Sequence, residues 1–199
     1  MIGIWHRSNL VTYAGVLVAA LGVSLCLVSP VWAVLCLILA GVADLLDGTY
    51  ARRFARDERT RAYGVQLDSL ADMVGFVVLP LAILLRLGPA WWVVAVAAAA
   101  YAVAAVTRLA YFNIATDGTP GRYHGLPVTY AALVLPVVWL GLTLAGGGQA
   151  WGWAAALVAL AVAYVVDVPV PKPRGRATIG LLVLAVVLVA AVVAVGVAP

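Results

Sequence analysis

Four of the eight acidic residues, Asp44, Asp47, Asp68 and Asp72, fall in two closely spaced pairs. Spacings of i,i+3 and i,i+4 put each pair on one face of a helix, with Gly48 and Ala51 extending the first stripe and Gly64 one turn ahead of the second. Carboxylates gathered in this way repel one another unless a cation sits among them. An all-oxygen donor set with no cluster of His or Cys beside it favours Mg²⁺ or Mn²⁺, with Ca²⁺ also compatible, over zinc. The small residues leave a slot where a flat group can approach the backbone, and Arg52, just past it, suits bidentate contact with a phosphate. Cation, phosphate partner and slot together suggest a nucleotide diphosphate held at a membrane surface. The sequence has no P-loop and no GxGxxG, so a soluble nucleotide-binding fold does not compete.

The elements that must position these groups are membrane helices. Of 199 residues, 66% are hydrophobic and 10% charged, against roughly 25% charged in soluble domains. Seven apolar stretches approach the ~20 residues needed to cross a bilayer: about Asn9–Val28, Val31–Arg52, Ala62–Leu87, Pro89–Ile114, Pro127–Ala145, Trp151–Val166 and Ala177–Val197. The expected fold is an all-α polytopic bundle of about seven transmembrane helices, six to eight being compatible, forming a single membrane domain over 1–199. The eleven residues Arg53–Tyr63 join the second and third stretches, which makes these antiparallel neighbours and lets the two acidic faces meet at one depth.

Basic residues set the expected orientation. His6 and Arg7, then Arg52, Arg53, Arg56, Arg59 and Arg61, then Arg122, then Lys172, Arg174 and Arg176 fall at one end, with Arg86 alone at the other. The amino terminus and that end are therefore expected to be cytoplasmic. Trp32, Trp91, Trp92, Trp151 and Trp153 read as an aromatic belt at the opposite interface. Asp57 and Glu58 read as solvated charges in the Arg-rich loop, and Cys26 and Cys36 as packing residues. The first stretch reads as a spanning helix rather than a cleaved leader. The net charge of +4 lies in short loop clusters, not along one face, which argues against nucleic acid as a partner. A compact Ala/Val/Gly/Arg-rich chain without organelle-targeting features points to a prokaryotic plasma membrane.

Read in order, Asp44-x-x-Asp47-Gly48-x-x-Ala51-Arg52 followed by Gly64-x-x-x-Asp68-x-x-x-Asp72 resembles the signature of the CDP-alcohol phosphatidyltransferase family of integral membrane enzymes. The loop between Arg52 and Gly64 is longer than is usual in that family. Within it, Leu67–Phe76, Arg108–Asn113 and Tyr123–Pro127 look most like the membrane-embedded phosphatidylserine synthases, and the likeness covers roughly Gly41–Tyr130.

The resemblance implies transfer of a phosphatidyl group from CDP-diacylglycerol to L-serine with release of CMP. It implies that Asp44, Asp47 and Asp68 hold divalent metal, two ions being expected, and that Asp72 is the general base and a further metal candidate. Gly48, Ala51, Arg52 and Gly64 would line the cytidine diphosphate pocket. Asn9 and Thr12 resemble the family's amino-terminal Asn-x-x-Thr and would reach the nucleotide. Membrane lipids and a second copy of the chain, as a homodimer, are the other partners implied.

Arg108, Asn113, Tyr123 and Gly125 are candidates for the acceptor pocket. Arg108 suits the serine carboxylate, and equally suits an interfacial anchor whose head reaches the lipid headgroups. His124 reads as loop packing, and Lys172, Arg174 and Arg176 as cytoplasmic retention or lipid-phosphate contacts. Two other functions compete. The same donor can serve glycerol phosphate, inositol phosphate or another alcohol. A cation transporter would need a polar path beyond the four acids, where the helices are apolar to the far side.

Overall fold

The computed structural model describes residues 3–114, 122–171 and 175–196, with 122–124 described by their backbone alone. Its helices are α1 (Leu10–Cys26), α2 (Pro30–Ala51), α3 (Glu58–Met73), α4 (Leu79–Leu87), α5 (Trp91–Ile114), α6 (Ala131–Leu144), α7 (Gln149–Val165) and α8 (Arg176–Gly196). A π turn, Val74–Val78, joins α3 to α4 in one continuous 30-residue rod. A 3₁₀ turn, Val128–Tyr130, precedes α6.

The described residues thus form seven rods. Five are long and apolar enough to cross a membrane, and Val128–Leu144 and Gln149–Val165 are shorter apolar helices. Their outward faces carry exposed Leu and Val such as Leu17, Leu85, Val103 and Val186. In water such surface would be a liability, whereas in lipid it is solvated. This is the expected all-α polytopic membrane architecture.

Local chemistry sets the element ends. Ser29 caps α2 by accepting from the Val31 amide, with Pro30 at the first helical position. Gly88 ends α4 in the left-handed region at φ 59°, and its amide donates to Leu84 O. The third rod begins earlier than the apolar run suggested, at Glu58 instead of Ala62. Asp57 is the reason, because its Oδ1 accepts from the Thr60 amide at 2.8 Å and caps the helix. The connection expected at Arg53–Tyr63 is therefore half helical, and Asp57, exposed as expected of a solvated charge, is also the cap of α3. Pro127–Ala145 is likewise trimmed, its first turn being 3₁₀.

α2 is the hub, packing on α1, α4, α6 and α8. Its first half, Ala33–Ile38, is buried without interruption, so it is enclosed on all sides. Small residues permit the close approaches. A Cβ on Gly41 would lie 2.5 Å from Ala132 Cβ, and one on Gly22 2.6 Å from Cys36 Cβ, so neither position admits a side chain. Cys26 and Cys36 are free and buried in this core. Trp32, Trp91, Trp92 and Trp151 are exposed, but Trp153 does not join them as expected. It is fully buried, stacks edge-on against Trp139 and donates from Nε1 to Pro80 O at 3.0 Å, because a core position on α7 meets the proline-containing turn of α4.

One end of the bundle is tied together by loops. A two-stranded antiparallel ribbon pairs β1 (Arg122–His124) with β2 (Pro169–Pro171), linking the α5–α6 and α7–α8 connections. The amino-terminal segment folds over the start of α3, with the Tyr13 and Tyr63 hydroxyls 3.1 Å apart and Trp5 stacked on Tyr13.

Candidate active site

The acidic faces of α2 and α3 do meet. Carboxylate oxygens of Asp44, Asp68 and Asp72 all lie within 4.8 Å of one another. Asp47 lines one small pocket together with these three. Asp47 Oδ2 also accepts from Thr12 Oγ1 at 3.1 Å, which ties α1 to the cluster. Asp72 is buried and Asp44, Asp47 and Asp68 are half-buried. Carboxylates this close need positive charge between them, either a proton or a cation. An all-oxygen set of this spacing fits a hard divalent ion, since such ions take carboxylate oxygens at about 2.0–2.6 Å.

Of the small residues, Gly48 lines a cavity together with Asp44, Asp47 and Asp68. Gly48 is exposed, and a Cβ there would lie 3.5 Å from Arg52 Nη1. Arg52 itself is exposed at the end of α2 and donates from Nη2 to Thr49 Oγ1 at 3.1 Å. Ala51 is half-buried on the same turn. A Cβ on Gly64 would point at Asn9 Oδ1, 3.6 Å away, with Arg56 Nη1 at 3.9 Å. Asn9 is buried, its Nδ2 donating to Ile4 O at 3.4 Å and its Oδ1 accepting from Ser8 Oγ at 3.1 Å. Asn9 and Thr12 therefore stand beside Gly64 and Asp47, across a helix boundary from the signature.

A cavity of about 460 Å³ opens beside the acids between α2, α6 and α8. Asp44, Asp47, Asp68 and Arg52 make its polar end, and Arg52 is the one cationic side chain among the described residues lining it. Its walls beyond are apolar, including Ile38, Leu133, Leu181 and Leu188. This shape suits a molecule with a charged head and hydrocarbon tails. Sequence reasoning did not assign α6 and α8 to the site. Thr129, Tyr130 and Thr178, polar residues at the starts of apolar helices, were the available signal.

The acceptor candidates are held differently. Arg108 is 5% exposed and donates from Nε to Leu126 O at 3.1 Å and from Nη2 to Gly125 O at 3.2 Å, with its guanidinium 5.8 Å from the Phe112 ring. It is not a headgroup anchor, because its head is turned inward onto backbone carbonyls. Gly125 adopts φ 78°, and a Cβ there would lie 3.1 Å from Tyr164 O. Its amide donates to Val168 O at 2.9 Å. Asn113 Oδ1 accepts from Ser69 Oγ at 2.9 Å, next in sequence to Asp68. Tyr123 is opposite Val170 in the ribbon. Lys172 and Arg174 lie outside the described residues, while Arg176 is exposed at the start of α8.

Fold and site together define an integral membrane protein with a carboxylate cluster at one end of a helical bundle, open to an amphipathic cavity. The family model for CDP-alcohol phosphatidyltransferases matches residues 5–166, and the chain belongs to that family. It is 36% identical over 132 residues to the CDP-diacylglycerol–serine O-phosphatidyltransferase of Mycobacterium leprae, covering 61% of this chain and 42% of that protein. It is 40% identical over 89 residues to the protein of the same name from Mycobacterium tuberculosis strain H37Rv, covering 42% of this chain and 29% of that one. The chain thus spans less than half the length of the curated relatives it matches.

Proposed function

We propose that the chain transfers a phosphatidyl group from CDP-diacylglycerol to the hydroxyl of L-serine, giving phosphatidylserine and CMP. The observation that carries this reading is the convergence of Asp44, Asp68 and Asp72 within 4.8 Å, with Asp44 and Asp68 at the polar end of a cavity with apolar walls. The names of the mycobacterial relatives support serine as acceptor.

In this reading Asp44, Asp47 and Asp68, with Asp72 as a further ligand, hold two divalent ions, Mg²⁺ or Mn²⁺. Once bound, such ions neutralise diphosphate oxygens and stabilise the departing CMP. Thr12 holds Asp47 in place through its hydroxyl. Arg52 pairs with the donor's phosphate, and Gly48, Ala51 and Gly64 leave room for the cytidine, with Asn9 beside it. Asp72, the buried member, accepts the serine hydroxyl proton as that oxygen bonds to the lipid-side phosphorus and the phosphorus–oxygen bond to CMP breaks. Such a base contributes on the order of 10²–10⁴-fold. The diacyl chains lie along Leu133, Leu181 and Leu188. Serine approaches from the side of Asn113, Tyr123 and Gly125, where Arg108 shapes the loop. The basic end faces the cytoplasm of a prokaryotic plasma membrane, and the working unit is a homodimer.

Arg108 was the residue that favoured an amino-acid acceptor, and its contacts with Gly125 and Leu126 keep a second reading open: the same donor with a different alcohol. One assay separates the two. Purified protein in detergent is given CDP-diacylglycerol and Mn²⁺ or Mg²⁺ with serine, glycerol phosphate, inositol phosphate or inositol, and CMP is measured. Serine-dependent release abolished by a chelator is expected. Release with another acceptor alone refutes the serine reading, and no release from folded protein refutes the transferase reading.

A further inference from the structure

We infer that Tyr101, far along α5 from the acids, is a positioning residue that holds Asp68 and Asp72 against Asp44 by stabilising the π turn below them; the inference rests on the proposed cation-holding role of those acids. Pro80 is the starting point. An uninterrupted α-helix would satisfy the Phe76 carbonyl with the amide of residue 80, and proline has none. The Tyr101 hydroxyl donates to Phe76 O instead, at 2.6 Å. Tyr101 is fully buried in a helix otherwise rich in Ala and Val, where a phenol needs a partner.

The turn so stabilised is Val74–Val78, in which the Leu79 amide reaches Val74 O, one residue further than an α-helical bond. One extra residue rotates the parts of the rod on either side by about 100° relative to each other. Both parts are constrained. Below the turn, Leu79, Ile83 and Leu84 are buried and Pro80 O accepts from Trp153. Above it, Asp72 ends two residues before the turn begins and must face Asp44. Only with the π turn in place can both faces keep their neighbours. The Tyr101 ring packs on that of Tyr164, centroids 5.7 Å apart, and the Tyr164 hydroxyl donates to Val128 O at 3.1 Å. The acids' geometry is thereby tied to α5, α7 and the start of α6.

The test uses the whole chain in detergent, with Mn²⁺ binding followed by the EPR signal of free Mn²⁺, and thermal midpoint measured in parallel. Tyr101→Phe is expected to weaken Mn²⁺ binding by roughly tenfold, the effect typical of lost outer-shell support, and to lower the midpoint. Adding Pro80→Ala gives Phe76 O an amide donor and lets the rod run as plain α-helix. The double variant is then expected to recover its midpoint while still binding Mn²⁺ about as weakly as Tyr101→Phe. If Mn²⁺ affinity recovers along with the midpoint, Tyr101 merely satisfies a carbonyl and the inference is overturned. Should Tyr101→Phe fail to fold, the double variant against wild type makes the same comparison, wild-type affinity again overturning it. Equal Mn²⁺ uptake by Tyr101→Phe and wild type also overturns the role of Tyr101 alone, whereas a wild type that takes up no Mn²⁺ overturns the cation reading beneath it.

Discussion

The acid-bearing end of α2 and α3 and the connection between α5 and α6 use charge in opposite ways. Asp44, Asp47, Asp68 and Asp72 stand on continuous helices and point at one another, with Thr12 as a neutral donor at the edge. Their mutual repulsion calls for a proton or a cation between them. Arg108 is a single charge that donates from Nε and Nη2 to the Leu126 and Gly125 carbonyls of its own chain. A group crowded among its own kind is available for chemistry, whereas one drawn onto backbone carbonyls builds structure. The contrast teaches that burial and charge do not by themselves mark a catalytic group; what the charge faces does.

The sharpest way to break this contrast is Asp72→Asn. CMP release is expected to fall on the order of 10²–10⁴-fold, while the thermal midpoint of metal-free protein holds or rises, because one of four crowded carboxylates loses its charge. A fall in midpoint matching the loss of activity would make Asp72 structural. Arg108→Gln is the counterpart. Leaving buried carbonyls without donors costs about 1–3 kcal/mol, so the midpoint drops and the serine KM stays near wild type. A raised serine KM at unchanged midpoint would move Arg108 into the acceptor pocket. Thr12→Val tests the edge of the cluster. Losing the hydrogen bond to Asp47 is expected to raise the Mn²⁺ needed for half-maximal CMP release, at the lower end of the roughly 10–100-fold range for outer-shell partners, with little effect on serine KM.

Asp57 gives the smallest effect and a pH test. Its bonds to Thr60 hold the carboxyl below the usual carboxylate range, so the folded state favours the ionised form. The cap's contribution is then fully present above the ordinary carboxylate pKa and is lost as pH falls through the lowered value. Hydrogen exchange at the first turn of α3 is expected to quicken on acidification in wild type, whereas in Asp57→Ala it is fast throughout. A pH-independent difference between the two would show that the carboxylate is not the cap.

Much of the acid-bearing end was legible because its information is local. Helical spacing puts Asp44 with Asp47 and Asp68 with Asp72 whatever the rest of the chain does, and a short connection brings the two faces together. Apolar length predicted the rods. The start of α3 was missed because a capping aspartate in an Arg-rich segment looks like a solvated loop, and Trp153 was misplaced because its neighbours in sequence are interfacial while its neighbour in space is Pro80.

What the sequence determined by itself is therefore the membrane-helical class and the acidic quartet with its small residues and Arg52, all of which follow from spacing or composition. Only the tertiary structure decided that α6 and α8 wall the cavity, that Arg108 turns inward onto Gly125 and Leu126, and that Tyr101 supplies the bond Pro80 cannot. Each of those pairs residues far apart in the chain, and such partners are chosen by how whole helices pack.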